Sequence, residues 1–274
     1  MSFYTREELS PTVVCLIQDI GEGKSEIGTG SLIVTENRFY LVTAAHVAKN
    51  MRLSGGFILS DEDDKPVKID WSQVTRIHGA SIPWVYHNEA DLAVLLINPS
   101  EELFKKHFKK RFVPINVFSP EKKAPSRDIL LTSVGFPLGL GVGGEYLSPL
   151  TFESKASSGF ITLPRADTQT PCTFYILEKP SVGGYSGCAV YDTSVHKFGS
   201  MTTTGDGTKC YGFMHGTISD KTGGKLAMVT PSYYLFDLID LCKKIENSLL
   251  QPLKRNEPCY CDSGKRFKEC HGRL

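Results

Sequence analysis

The chain has 274 residues, 41% of them apolar and 22% charged, with a formal net charge of +1. That length can bury a large core as one large domain or two, and the composition is ordinary for a soluble globular protein. A near-neutral balance argues against a dedicated nucleic-acid binder, and no stretch approaches the roughly 20 consecutive apolar residues of a membrane span. The first residues, Met1 to Glu8, hold no basic region leading into an apolar core, so no signal peptide is expected and a cytoplasmic location is the default. Of the eight cysteines, Cys259, Cys261 and Cys270 cluster near the C-terminus. The other five (Cys15, Cys172, Cys188, Cys210 and Cys242) are scattered in apolar surroundings and cannot all pair. Reduced, buried thiols in a reducing compartment are expected.

Taken in chain order, short β-rich runs punctuated by Gly, Pro and Asp fill about the first 230 residues, which reads as an all-β sandwich or barrel. Thr12–Ile17 and Gly30–Val34 are two of these runs, and Phe39–Val42 is a third, leading into Thr43-Ala44-Ala45-His46. Asp91 opens the apolar run Leu92–Leu96, with Glu89 as a rival acid two positions upstream. Glu101 to Arg111 places Leu103, Phe104 and Phe108 at helical spacing among Lys105, Lys106, Lys109 and Lys110, which predicts a short amphipathic helix with a solvated basic face. Ile129–Val134 is another strand run. Leu138 to Glu145 is glycine-rich but lacks the G-x-x-x-x-G-K-[ST] pattern, so a mobile loop is expected rather than a phosphate cradle. Tyr233 to Leu250 carries Leu235, Leu238, Ile239, Cys242 and Ile245 at 3–4 spacing, an amphipathic helix.

Chemistry enters with Gly183-Gly184-Tyr185-Ser186-Gly187. A serine hydroxyl is a poor nucleophile at neutral pH. It needs an imidazole to take its proton and a carboxylate to fix that imidazole's tautomer. His46, Asp91 and Ser186 supply those groups in that order, each within a short run of suitable texture.

Together these three fragments resemble the chymotrypsin-type serine peptidases, trypsin-like and HtrA-type, over residues from about 10 to 245. Gly28-Thr29-Gly30-Ser31-Leu32-Ile33 leading into the histidine strand, and Val134-Gly135-Phe136-Pro137, are similar to segments of HtrA-type enzymes. Ser154 to Ile161 resembles the strand that follows. The resemblance implies a double six-stranded β-barrel ending in a helix: barrel one over about 10–120, barrel two over about 128–232, and the helix over about 233–250, all within a peptidase domain of residues 1–250. It implies that His46 acts as general base, that Asp91 orients it, that Ser186 attacks, and that the N–H groups of Gly184 and Ser186 form an oxyanion hole. Trypsin-like digestive enzymes carry Asp before the serine; Tyr185 stands here, so activation through a newly cut N-terminus is not expected. Glutamyl endopeptidases and picornaviral proteases carry a Gly-x-His motif in the strand lining the S1 pocket. Gly212 to His215 is similar but one residue longer, which implies His215 as an S1 determinant and Glu or Gln at P1.

The last residues resemble the SEC-C motif, first known from the SecA tail. That resemblance assigns Cys259, Cys261, Cys270 and His271 to a structural Zn²⁺ ion in a tail of residues 254–274. Three thiolates and one imidazole make a closed tetrahedral set with no position left for catalysis. From Lys254 to Leu274 there are six Lys/Arg against three Asp/Glu, a charge of +3 that suits an acidic protein surface, RNA or the ribosome. The SecA likeness implies partner docking, with a SecB-like chaperone as one candidate. The expected function is serine endopeptidase action on protein or peptide substrates in a bacterial cytoplasm, recruited through the tail. The alternatives are a silent protease-fold binding module and a chaperone or translocation adaptor working through the tail.

Overall fold

A computed structural model describes residues 2–36, 38–77, 81–165, 167–198, 201–219, 223–250, 255–258 and 264–269. The strands are β1 (Val13–Gly21), β2 (Lys24–Thr35), β3 (Arg38–Thr43), β4 (Gly56–Ser60), β5 (Pro66–Asp70), β6 (Val85–Tyr86), β7 (Ala93–Ile97) and β8 (Val113–Pro114) in the first half. The second half contributes β9 (Leu130–Gly135), β10 (Leu150–Lys155), β11 (Ile161–Pro164), β12 (Pro171–Leu177), β13 (Ala189–Asp192), β14 (Val195–Phe198), β15 (Met201–Thr204), β16 (Lys209–Ser219) and β17 (Lys225–Pro231). One sheet runs β5-β4-β1-β2-β3-β7-β6, with β8 added in parallel to β2. The other runs β10-β9-β13-β16-β17-β12-β11. An Ala156–Leu177 bridge ties the end of β10 back to β12 and closes that second sheet on itself. The sheets hold eight and seven strands rather than six each, because the two-residue strands β6 and β8 and the β11–β12 hairpin extend them.

The strands read as continuous apolar runs because both of their faces are covered. Side chains alternate across a strand. Val14 and Leu16 therefore turn into the interior of the first sheet with Phe57, Trp71 and Trp84, while Val13 and Cys15 join a core shared by both sheets. In β12, Tyr175 and Leu177 fill the second sheet, and Phe174 and Ile176 face the shared core. The C-terminal helix Tyr233–Leu250 buries Leu235, Leu238, Ile239 and Cys242 in that same shared core, on the spacing the sequence gives. Glu101 to Phe108 is helical, opened by the Ser100 side chain on Leu103 N–H, and it buries Phe108. All five scattered cysteines are buried and unpaired. Among the described residues no helix is long and apolar enough to cross a membrane.

Candidate active site

The strand β3 stops at Thr43, and the helix Ala45–Asn50 begins with no side-chain cap from Ala44. Its early N–H groups need an acceptor. Asp91 supplies one: its Oδ1 accepts the His46 backbone N–H at 2.9 Å, while its Oδ2 lies 2.7 Å from His46 Nδ1. One carboxylate thus fixes both the main chain and the ring of His46. A carboxylate can only accept, so Nδ1 carries the proton of this bond, and among the described residues no group is hydrogen-bonded to His46 Nε2. The ring keeps about a third of its surface open (32%), whereas Asp91 is 1% exposed.

Asp91 is held by more than His46. The imidazole of His215, 3% exposed, places its Nδ1 2.5 Å from the same Oδ2. Burial alone would raise the Asp91 pKa, but the hydrogen bonds from His215 and then from His46 outweigh it and hold the carboxyl well below the usual range. The approach loop is set by His87, whose Nδ1 accepts the N–H groups of Glu89 and Ala90 at 3.0 and 2.9 Å. Burial keeps the His87 pKa below its ordinary value against the opposing pull of Asp237. Glu89, the rival acid, is exposed, and its carbonyl rather than its carboxylate faces inward, accepting from Arg165.

Ser186 sits in a turn between two glycines of positive φ, Gly184 at +97° and Gly187 at +88°. A Cβ on Gly184 would stand 2.3 Å from the Phe136 carbonyl oxygen, and one on Gly187 2.2 Å from Thr43 Oγ1. Only glycine fits both the conformation and the space. The turn is pinned to β2 by Thr29, whose Oγ1 donates to the Gly184 carbonyl (2.7 Å), whose N–H donates to the Ser186 carbonyl (2.9 Å), and whose Oγ1 accepts the Phe136 N–H (3.0 Å). Among the described residues, neither the Gly184 nor the Ser186 N–H has a protein acceptor. The Ser186 hydroxyl donates to the His215 carbonyl at 3.1 Å. Tyr185 turns the other way, into the second sheet, against Phe152 and with its hydroxyl on the Leu150 carbonyl; burial pushes its pKa up to about 12.

His46 and Asp91 are thus bonded to one another, and Ser186 is tied to the same His215 that holds Asp91, where the sequence brings only their fragments into order. His215, which the sequence suggested as an S1 determinant, makes contacts that the sequence did not indicate. Its Nδ1 is bonded to Asp91 and its ring packs on Phe174. The cause is a β-bulge: β16 pairs Met214 with Val229 and Gly216 with Met228, leaving His215 as the extra residue whose side chain is re-aimed. Thr29 and Arg165 escaped sequence reasoning. Thr29 stood inside a quoted motif with no assigned role. Arg165 had no local signal at all, because its partners Glu89, Ala90 and Asp91 are more than seventy residues away. The proposed metal ligands Cys259, Cys261, Cys270 and His271 lie outside the described residues.

The molecule is similar in structure to the MamO protease domain from Magnetospirillum magneticum (TM-score 0.53, 14% identity, 85% of this chain and 98% of that one). It is similar also to the active form of a protease from M. tuberculosis (TM-score 0.54, 16% identity, 88% and 87%). A scabies mite inactivated protease paralogue matches at TM-score 0.56 and 12% identity, over 89% of this chain and all of that one. At the C-terminal end, the SEC-C motif family matches residues 255–273. The protein translocase subunit SecA of Pseudomonas putida is 67% identical over 24 residues, 9% of this chain and 3% of SecA. The chain thus spans about 3% of the length of the curated relatives it matches. It has the chymotrypsin-like serine protease fold and carries a SEC-C motif at residues 255–273.

Proposed function

We propose that the chain is a serine endopeptidase whose residues 1–250 cut protein or peptide substrates and whose residues 254–274 form a SEC-C tail that recruits or regulates it. The observation that carries this reading is the His46–Asp91 pair, made through both the ring and the main chain, facing a serine held between two left-handed glycines. In the reaction the Ser186 Oγ leaves the His215 carbonyl and gives its hydrogen bond to His46 Nε2. His46 then removes the hydroxyl proton as Oγ attacks the scissile carbonyl, and the new oxyanion accepts from the N–H groups of Gly184 and Ser186. The imidazolium, steadied by Asp91, returns the proton to the leaving amine. Water, deprotonated in turn by His46, releases the acyl group from Ser186.

In the tail, Cys259, Cys261, Cys270 and His271 would hold a zinc ion that supplies folding energy and no catalytic step. Their donor set fits. Pro258, just before Cys259, bridges to Arg266, and Lys268 N–H donates to the Arg255 carbonyl at 3.0 Å, so the two arms that lead to the ligands run side by side. The +3 tail suits an acidic partner such as a SecB-like chaperone, or RNA and the ribosome. Five buried thiols free of disulfides suit the reducing cytoplasm of a bacterium.

A second reading, a binding module that does not cut, is favoured by one feature: the Ser186 hydroxyl rests on a carbonyl instead of on His46. The fold is compatible with it, since one similar structure is an inactivated protease paralogue. Labelling by a fluorophosphonate, read by intact mass, decides between them. One label per chain, lost in Ser186→Ala, supports the peptidase. No label supports the binding module.

A further inference from the structure

The turn joining β11 to β12 leaves the second sheet and touches both segments of the first that carry the site. Arg165, in that turn, is 3% exposed. Its Nη1 donates to the carbonyls of Glu89 (3.0 Å) and Ala90 (2.9 Å), the two residues before Asp91, and its Nη2 lies 3.4 Å from Asp91 Oδ1. The same guanidinium is clasped by Asp167 at both carboxylate oxygens, through Nε at 2.9 Å and Nη2 at 2.7 Å. Asp167 in turn accepts from Lys49 Nζ at 3.0 Å, and Lys49 stands on the helix Ala45–Asn50, three residues after His46.

The turn that presents these groups is itself closed by main-chain bonds, Arg165 N–H to the Thr170 carbonyl and Gln169 N–H to the Arg165 carbonyl. A bidentate fork fixes direction as well as distance, which a lysine in the same place would not do. A buried guanidinium is tolerated only when its donors are met, and among the described residues the hydrogen-bond partners of this one belong to the Asp91 loop and to Asp167.

We propose that Arg165 is a positioning residue: with Asp167 and Lys49 it forms a strap from the second sheet that aims the Asp91 carboxylate at His46. This rests on the His46–Asp91–Ser186 reading above. The strap approaches Asp91 on Oδ1, leaving Oδ2 to the two imidazoles. Loosening the β11–β12 turn would therefore disassemble the site without touching the nucleophile.

The test uses the full chain as wild type, Arg165→Met, Arg165→Lys, Asp167→Asn and Arg165→Met with Asp167→Asn. Two quantities are read per folded molecule: the rate of fluorophosphonate labelling, and the proton NMR signal of the His46 Nδ1–H, assigned by its loss in His46→Gln. The expected result is a labelling rate lower by about 10–100-fold in Arg165→Met, with a displaced Nδ1–H signal. Arg165→Lys should recover little of either, because an ammonium keeps the charge without the fork, and adding Asp167→Asn to Arg165→Met should change little more, because a strap acts as one unit. An unchanged signal and rate in folded Arg165→Met overturn the proposal. If that variant does not fold, Asp167→Asn alone carries the test: the signal must move, and a signal that stays put overturns it. If the wild type takes no label, the peptidase reading fails, and the Nδ1–H signal by itself still decides whether the strap exists.

Discussion

His215 and Asp91 share a 2.5 Å hydrogen bond across the two sheets, and the carbonyl of the same His215 accepts from the Ser186 hydroxyl. One residue therefore touches the carboxylate through its ring and the nucleophile through its main chain. The hydrogen bond from its ring lowers the Asp91 pKa more than the one from His46 does.

That bond has a pH signature. Asp91 is ionised in the fold to lower pH than in the unfolded chain, so below its ordinary pKa of 3.8 the unfolded state binds more protons. The stabilisation is fully present above that value and drains away as pH falls through and below it. Each unit of depression corresponds to about 1.4 kcal/mol. His215→Ala should lose stability at pH 7, and its gap from wild type should narrow between about pH 4 and pH 2. Urea midpoints at several pH values measure this; a gap that stays constant would place the depression elsewhere.

Gly184→Ala meets the Phe136 carbonyl at 2.3 Å from a backbone at φ +97°. A left-handed residue with a Cβ costs about 1–2 kcal/mol, and the clash adds to it. The expected outcome is a destabilised protein whose labelling rate falls by more than its folded fraction does, because the turn that presents the Ser186 N–H is deformed. Denaturant unfolding and labelling on one preparation separate the two.

Thr29→Val removes one hydroxyl and keeps the shape. It leaves the Gly184 carbonyl and the Phe136 N–H without their partner in a fully buried place. A loss of about 1–3 kcal/mol is expected, with slower labelling of Ser186. Labelling at the wild-type rate would show that the serine turn holds its shape without Thr29.

The tail should bind one zinc ion per chain by native mass spectrometry, with the ion lost in Cys259→Ser combined with Cys270→Ser. Since the ligands supply no catalytic step, chelation should leave labelling of Ser186 unchanged. Loss of labelling on chelation would mean that the tail holds the peptidase site in its working form.

The chemistry-bearing residues were legible because their local frames are short-range. The strand before His46 ends at Thr43, the apolar run after Asp91 becomes β7, and the glycines around Ser186 meet a conformational demand that only glycine satisfies. The closing helix was legible for a similar reason, since its 3–4 spacing is a property of the segment alone. The bond from His215 to Asp91 was not legible because a β-bulge depends on pairing with β17, and one extra residue in a strand changes which way its side chain points.

The sequence by itself determined the order of the elements, the alternating and helical faces, and the identity of the candidate histidine, aspartate and serine. All of these follow from side-chain size, spacing and backbone freedom within a few residues. Only the tertiary structure decided who holds Asp91, because its four donors come from three distant parts of the chain: the His46 main chain and ring, the His215 ring, and Arg165 on the β11–β12 turn. A buried carboxylate accepts from whatever donors the fold brings within about 3 Å, and that choice is made by the docking of two sheets rather than by any local run of residues.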